Sequence, residues 1–437
     1  MTTPVRRPAA APCAAILAFA VALAGCGATP SASPPASATP SAIPLQSAPT
    51  ASSSPISDDL DGLLAALERS HPDPFHGVPR DEFVAALDAY ATGLPSMTPD
   101  ESVVELMRVW AMLSREGRDG HQFVLPRDAP SLLPIRVYEF AEGLFVTAAL
   151  ANPEELVGSR LTAIDGTPID QVLAAIEPLV PRDGPATVPA FRPIFVLRTD
   201  VLRGLGIIGS GAVRLGLERD AVASEMTVEP VSSEEHAARL GAYGPQQLPL
   251  DDRVRYLAAP SPFAAELLED GIAYLRYRSV IAVDVEEVRG WVGQDAVVRL
   301  VLDLRQNPGG DNTTFLDLLA LVESFAEEHP GSVTVLTDRV TFSAAANLAT
   351  EIEARTDATF VGEAMGGGLN FWDDVGWVDL DALPVPMRAA VSLRYWEFAA
   401  ADDPRLTIEP DVVVPVTAAD FFSGRDPALE VALRGED

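Results

Sequence analysis

The stretch from residue 298 to residue 347 constrains the fold more than any other part of this chain. An apolar run over Leu300–Leu304 is short and rich in branched residues, which is typical of a buried strand. Turn residues follow at Asn307–Gly310, then an amphipathic helical pattern, then a second strand over Ser332–Leu336. A helix is predicted to open at Ser343. The order predicts a βαβα unit whose glycine turn and serine lie at the same edge of a sheet, where ligands bind.

The N-terminus has the pattern of a secretion signal. Met1–Gly25 begins with Arg6 and Arg7, continues with an apolar run and ends in small residues before Cys26. The tetrapeptide that ends in Cys26 resembles the bacterial lipobox, so we expect lipidation of Cys26 and removal of residues 1–25, which include Cys13. The alternative is an uncleaved membrane anchor, but the apolar run is short for a span. One remaining cysteine leaves no disulfide framework and no thiolate zinc site.

The charge of the chain limits its partners. The formal net charge is −32, and it falls by two when Arg6 and Arg7 leave with the leader. A surface this acidic argues against nucleic-acid binding and against adsorption to anionic membranes. All 31 basic side chains are arginine. Every mechanism that needs a lysine is therefore excluded.

Composition and periodicity divide the mature chain into four parts. The first is rich in serine, alanine and proline and is expected to be a disordered tether. Helical patterns over Asp58–Arg69, Asp81–Leu94 and Pro99–Leu113 predict a small helical domain. The predicted parts are a tether (26–56), an N-terminal helical domain (57–127), a β-rich, possibly PDZ-like domain (128–250) and a catalytic α/β domain (251–437).

Several segments outside the βαβα unit carry histidines or glycines that could matter for function. His71 and His76 are expected to be packing residues of a turn rather than ligands, and no metal site is predicted. Residues 232–252 are interpreted as a surface connector in which His236 is exposed. Residues 362–368, rich in glycine, are expected to form a mobile loop. Residues 389–396 are expected to form one strand.

Four motifs in order resemble those of the serine peptidases of the C-terminal-processing and tricorn-core family. They are Asp119–His121, Leu302–Gly310, Thr341–Ala345 and Ile408–Asp411. The resemblance covers most of the mature chain and implies a catalytic domain of the Clp-protease/crotonase type. The fold class expected is therefore multi-domain α/β, with a PDZ-like β-domain and an N-terminal helical domain beside the catalytic domain.

The residues themselves support serine chemistry. A serine attacks a carbonyl only when a base takes its proton and donors hold the oxyanion. A serine that opens a helix leaves the next amide, that of Ala344, unpaired and favoured for negative charge. Taken alone, Ser343 is better explained as a helix N-cap, and the Asn-Pro-Gly-Gly turn as plain loop geometry. The resemblance places Ala344 and Gly309 or Gly310, with Gly309 preferred, in the oxyanion hole.

The resemblance also bears on the catalytic base. The position that holds a lysine in the processing branch is Gly368 here, so the tricorn-like arrangement with a histidine remains. His121 is the candidate, since a neutral imidazole accepts protons near pH 7. The orienting acid is assigned to Asp403 from its place before the closing motif. Glu363 and Glu397 are the alternatives.

The sequence thus predicts an exported serine peptidase, lipid-anchored through Cys26 to the outer face of the cell membrane. It would act on peptides or proteins with Ser343, His121 and Asp403, and need neither metal nor cofactor. Two alternatives remain open: an esterase that uses the same site, and a catalytically silent lipoprotein that binds peptides in the same cleft.

Overall fold

The computed structural model describes residues 54–241, 244, 246, 248–258, 261–292 and 297–435. The predicted signal peptide, Cys26 and nearly all of the predicted tether lie outside these residues. No helix in the described ranges is both long and apolar enough to cross a membrane.

Local sequence signals set the ends of the first helices. Ser54 caps the first helix by accepting the amide of Ser57, and Thr98 and Glu101 form a capping box at the third. The helices are α1 (Pro55–Ser70), α2 (Arg80–Gly93), α3 (Pro99–Ala111), α4 (Pro153–Leu156), α5 (Ile169–Ile176), α6 (Thr187–Leu197), α7 (Thr199–Gly204), α8 (Ser233–Leu240), α9 (Glu286–Val292), α10 (Leu316–Glu328), α11 (Ala344–Arg355), α12 (Ala418–Ser423) and α13 (Pro427–Arg434).

The strands form two larger and three smaller sheets. They are β1 (Val124–Pro126), β2 (Ser131–Leu132), β3 (Ile135–Phe140), β4 (Gly143–Ala149), β5 (Arg160–Ile164), β6 (Thr167–Pro168), β7 (Val213–Arg219), β8 (Val222–Val228), β9 (Val231–Ser232), β10 (Phe263–Leu268), β11 (Ile272–Tyr277), β12 (Arg299–Asp303), β13 (Val333–Thr337), β14 (Thr359–Gly362), β15 (Asn370–Asp373), β16 (Gly376–Leu380), β17 (Met387–Val391), β18 (Arg394–Glu397) and β19 (Val412–Val413).

A mostly parallel sheet positions the serine and the glycine turn. Its strand order is β10-β11-β12-β13-β14-β19, with β10 antiparallel to β11 and the other pairs parallel. Because β12 and β13 are parallel neighbours, the segments that follow Asp303 and Thr337 leave from the same edge. The βαβα unit predicted from residues 298–347 is therefore present, with α10 and α11 as its helices.

The β-rich region is an antiparallel sheet of order β3-β4-β5-β7-β8, with β6 on β5. Strands β1, β17 and β16 form a second antiparallel sheet, and β15 pairs with β18. The single strand expected over residues 389–396 is therefore wrong. The chain forms β17, turns, and starts β18 in a different sheet, which carries it across to β15.

Apolar packing does not follow the predicted boundary at residue 127. One core contains side chains of the first three helices and of the β-rich region, among them Leu63, Trp110, Ile135 and Val146. All described residues fall within one compact unit, residues 51–437. The N-terminal helices therefore bury their apolar stripes against the β-rich region instead of against one another alone.

The segment expected to be a surface connector contains a short helix with one buried side chain. Residues 233–240 form α8, and the side chain of His236 is buried there. Its Nε2 lies 3.0 Å from the carbonyl oxygen of Ile135. Burial lowers the pKa of His236, so the prediction of an exposed histidine is wrong.

Candidate active site

Ser343 lies at the tip of a sharp turn between β13 and α11. Its backbone has φ 53° and ψ −131°, outside the region that a residue other than glycine normally adopts. Such a conformation costs on the order of 1–3 kcal/mol and persists only where the surroundings impose it. The side chain caps no helical amide. The interpretation of Ser343 as an ordinary N-cap is therefore wrong.

A buried carboxylate joins this turn to the loop that follows β12. Asp338 accepts hydrogen bonds from the backbone amides of Gln306, Val340 and Thr341 and from the Gln306 side chain. In the loop after β12, the carbonyl oxygen of Asn307 also accepts a hydrogen bond from the backbone amide of Phe342, at 3.0 Å. These bonds hold the two segments of the βαβα unit in fixed relation and keep the turn at Ser343 in its strained form.

The glycine turn lies directly against the serine. Gly309 has φ 106°, and a Cβ built there would lie 2.6 Å from the Cβ of Ser343, so only glycine fits. The Gly309 amide donates to the Asn307 side chain at 3.0 Å. Among the described residues, the amides of Gly310 and Ala344 donate to no other group. The free amides beside Ser343 are thus those of Gly310 and Ala344. The amide of Gly309 is already bonded, and its missing side chain leaves room for Ser343.

The glycine-rich loop expected to be mobile is packed beneath the turn. Residues 365–368 are buried, and the Gly367 amide donates to the Thr341 carbonyl at 3.1 Å. A Cβ on Gly367 would lie 2.6 Å from the Cβ of Ala346 and 3.0 Å from the Cα of Phe342. The loop is glycine-rich because main chain packs on main chain there, and the prediction of a mobile loop is wrong.

His121 reaches this corner from the loop between α3 and β1. Its ring lies between Phe342, at 4.8 Å, and Phe371, stacked at 5.3 Å. The two aromatic rings limit the orientations of the imidazole. Its Nε2 lies 3.5 Å from Oδ2 of Asp373, and its Nδ1 is buried without a hydrogen-bond partner in the described structure. The tertiary structure thus brings together the predicted serine and the predicted histidine, which are far apart in sequence.

Asp373, at the end of β15, lies between the two. Its Oδ2 accepts a hydrogen bond from the Ser343 hydroxyl at 3.3 Å and is the oxygen that faces His121. Within the described ranges, Ser343 and His121 form no hydrogen bond with each other. Sequence reasoning missed Asp373, because an aspartate after an apolar strand carries no motif. The one available signal is that β15 directly follows the glycine-rich loop.

The acid predicted to orient His121 lies elsewhere. Asp403 accepts hydrogen bonds from the amide and guanidinium of Arg405, and these bonds lower its pKa. Arg405 also pairs with Glu353 at 2.8 Å. No hydrogen bond or ion pair joins Asp403 to His121 in the described part of the chain. Asp403 forms this local pair because the arginine two residues on reaches it without any help from the fold.

The alternative acids are also engaged or remote. Glu363 lies 3.3 Å from the guanidinium of Arg339 and accepts the amide of Val416. Glu397 is exposed on β18 and pairs in register with Asn370. Among the residues that the structure describes, neither carboxylate contacts His121 through an ion pair.

A carboxylate that the sequence did not single out lies beneath the site. Asp183 is fully buried and accepts the amide of Gly120 at 2.5 Å and that of Gly368 at 3.2 Å. Burial raises the pKa of Asp183 to about 6, while the charge of His121 acts in the opposite direction. Asp183 was missed because its sequence context, between the β-rich strands and α6, resembles an ordinary turn.

One group of side chains in the described structure has the composition of a metal site. Ligand atoms of His71, His76 and Asp119 lie within 4.8 Å of one another. His71 Nδ1 accepts the backbone amide of Asp73 at 3.0 Å, so its Nε2 carries the proton and donates to Asp119 at 3.1 Å. A metal would need the lone pair of that nitrogen, so this donor set does not fit a metal ion. Asp119, also bonded by Ser392 at 2.8 Å, anchors the loop ahead of the candidate base.

Comparison with known proteins shows the fold. No family model and no curated protein sequence matches the chain. The structure of mature CPAF complexed with lactacystin matches at 15% identity over 87% of this chain and 97% of that one, with a TM-score of 0.57. A mutant of CPAF matches at 15% identity over 88% and 98%, with a TM-score of 0.59. This chain has the fold of CPAF. The photosystem II D1 C-terminal processing protease matches at 14% identity over 88% of this chain and 98% of that one, at a lower TM-score of 0.42.

Proposed function

We propose that the protein is an exported serine-type peptidase with Ser343 as nucleophile and His121 as base. The observation that carries the proposal is the backbone of Ser343, strained at the start of α11 with an unpaired amide beside it. A fold maintains this conformation against its cost where a hydroxyl must be presented to a ligand. A helix cap or a packing serine would not require it.

The proposed reaction follows from these positions. The Ser343 hydroxyl attacks the peptide carbonyl and passes its proton to Nε2 of His121. The oxyanion that forms accepts hydrogen bonds from the amides of Ala344 and Gly310, where the dipole of α11 favours negative charge. His121 then protonates the leaving amine. Water attacks the acyl-enzyme, gives its proton to His121, and releases the acid while Ser343 regains its proton.

For this step the Ser343 hydroxyl must turn from Asp373 toward His121. The hydroxyl lies 3.3 Å and Nε2 lies 3.5 Å from the same Oδ2 atom, so both groups flank one small site, and the proposal requires a rotation about the Ser343 side chain to bring them together. In this proposal the hydrogen bond from Ser343 to Asp373 belongs to the resting enzyme, and a bound substrate would break that bond. A permanent contact would instead favour the catalytically silent, peptide-binding alternative.

The remaining parts of the proposal rest on sequence. A peptide substrate is favoured by the four ordered motifs that resemble serine peptidases. Export and anchoring to the outer face of the membrane are proposed from the leader and from Cys26. The proposed chemistry uses a serine, a histidine and backbone amides.

The test is labelling of the purified protein with a fluorophosphonate probe, which reacts with activated serines. Labelling of the parent should be lost in Ser343→Ala and in His121→Ala. The matched control is Ser423→Ala, because the Ser423 hydroxyl only bonds the Asp420 carbonyl at the end of α12. Label retained in Ser343→Ala would place the reactive group elsewhere. A folded parent that takes no label would refute the hydrolase and leave peptide binding to be measured on peptide arrays.

If the parent is labelled, substrate class comes next. A peptide library and a panel of small esters are offered to the parent and to Ser343→Ala under the same conditions. Cleavage of peptides that depends on Ser343 supports the peptidase. Hydrolysis of esters alone would assign the site to an esterase.

A further inference from the structure

One nitrogen of the His121 ring is not satisfied by any hydrogen bond in the described structure. This nitrogen is Nδ1, which is buried. Leaving a buried polar atom unpaired costs on the order of 1–3 kcal/mol. Nδ1 is the ring nitrogen nearer the main chain, so a charge beside the backbone of the loop that carries His121 acts on Nδ1 more strongly than on Nε2.

Asp183 lies against that backbone. Its Oδ1 accepts the amide of Gly120, the residue directly before His121. A Cβ built on Gly120 would lie 2.9 Å from the same oxygen and 3.0 Å from the Phe342 ring that packs on His121. The absence of a side chain at Gly120 is therefore what lets the Asp183 carboxylate approach the histidine loop this closely.

The other oxygen of Asp183 is tied to the nucleophile side of the site. Oδ2 accepts the amide of Gly368, and the preceding residue, Gly367, packs on Phe342 with its Cβ position 3.1 Å from the amide nitrogen of Ser343. One buried carboxylate thus connects the loop of the candidate base with the loop beneath the nucleophile. Each of its oxygens keeps lone pairs for a further donor.

We propose that Asp183 is the acid that positions His121 by favouring a proton on Nδ1. In the described structure the carboxylate forms no ion pair or hydrogen bond with the ring, so it acts on Nδ1 through its charge, from its place against the backbone of Gly120. Nδ1–H then leaves the lone pair of Nε2 directed toward Ser343, which is the tautomer that a general base needs. Asp183 touches neither substrate nor serine, so it is a positioning residue. Its catalytic meaning rests on the proposed function, whereas the proposed influence of its charge on His121 does not.

Charge supports this pairing. Two other titratable groups act on this pair. Asp373 lies at Nε2 of His121, and the charge of Asp119 disfavours a charge on Asp183. Burial of Asp183 disfavours its charge most, and the nearby imidazole opposes this effect. An ionised carboxylate in such a place is tolerated where a cation forms beside it, as His121 does when it takes the serine proton.

The first experiment uses the unaltered full-length protein. Histidines are labelled with nitrogen-15, and the two ring-nitrogen shifts of His121 are read by NMR, with His121→Ala identifying its signals among the five histidines. At a pH above the titration of the ring, the proposal expects the proton on Nδ1. A neutral ring with its proton on Nε2, directed at Asp373 alone, would overturn the proposal.

The second experiment removes the charge. In Asp183→Asn, we expect the titration midpoint of His121 to fall by about 1 pH unit or more, because a nearby anion stabilises the imidazolium by that order. The rate of fluorophosphonate labelling should fall about 100-fold. Asp403→Asn is the matched control and should change neither quantity, since its carboxylate is held by Arg405. An unchanged titration of His121 in a folded Asp183→Asn variant would refute the pairing.

The two readouts separate the two proposals. If the parent takes no label but Asp183→Asn still shifts the titration of His121, the pairing stands and the serine-hydrolase proposal fails. If the parent is labelled and Asp183→Asn is labelled equally fast with an unchanged titration, the hydrolase stands and Asp183 is not its positioning acid.

Discussion

Replacing Asp183 with asparagine should change how the stability of this protein depends on pH. Burial raises the pKa of the carboxyl from 3.8 to about 6 in the folded state. A group with a raised pKa stabilises the fold below its unfolded pKa, and this contribution is lost as the pH rises through the folded pKa. The shift corresponds to about 3 kcal/mol. Relative to Asp183→Asn, the parent should therefore lose about 3 kcal/mol of unfolding free energy between about pH 4 and about pH 7.

Urea unfolding followed by tryptophan fluorescence across this pH range measures the difference, because titrating groups remote from Asp183 cancel between parent and variant. His121, whose titration the substitution is expected to shift, does not cancel, and its midpoint in each protein is taken from the NMR titration. Asp403→Asn serves as the control. Its pKa is lowered by Arg405, so its contribution has the opposite sign, and solvent screening of this surface pair keeps it small. A difference between parent and Asp183→Asn that stays constant with pH would refute the argument that a buried carboxylate is ionised there at the expense of stability.

Three further predictions concern the site and one buried histidine. Gly309→Ala should reduce fluorophosphonate labelling at least about 100-fold in a protein that keeps its circular dichroism, because the new Cβ would meet Ser343 at 2.6 Å. The Asp373→Ala variant should be labelled roughly threefold to tenfold faster than the parent, because the anionic oxygen of Asp373 holds the serine hydroxyl and repels a developing oxyanion. Slower labelling would instead make Asp373 part of the catalytic machinery. Burial lowers the pKa of His236 below 6.5, so the parent should lose stability relative to His236→Gln as the pH falls through 6.5, measured by urea unfolding on either side of that value.

The parts of the site that could be predicted lie close together in the chain. The βαβα unit was visible because a short apolar run, a glycine turn and an amphipathic helix are each local patterns. Parallel neighbours then place the segments that follow them at one sheet edge, so the approach of Gly309 to Ser343 follows from topology. The strain at Ser343 did not follow, because it is imposed by hydrogen bonds to Asp338 from two loops.

Two of the predictions that the structure contradicted share one cause. His236 and the glycine-rich loop were interpreted from local polarity and flexibility, which suggest exposure. Both are buried because distant segments pack on them: Ile135 accepts a bond from His236, and the turn at Phe342 covers Gly367. Composition describes what a segment would do alone, and burial depends on what the rest of the chain places against it.

The sequence by itself determined the α/β unit, the serine at the start of a helix, the glycines beside it, the histidine as the one candidate base and the absence of any lysine. Only the tertiary structure decided which carboxylates surround that histidine. Asp373 and Asp183 come from either side of the chain's middle. Asp373 reaches Nε2 of His121 from the end of β15, and Asp183 binds the amide of the preceding residue, Gly120. An acid acts on an imidazole over a few ångströms, and sequence order carries no information about contacts of that range between segments so far apart.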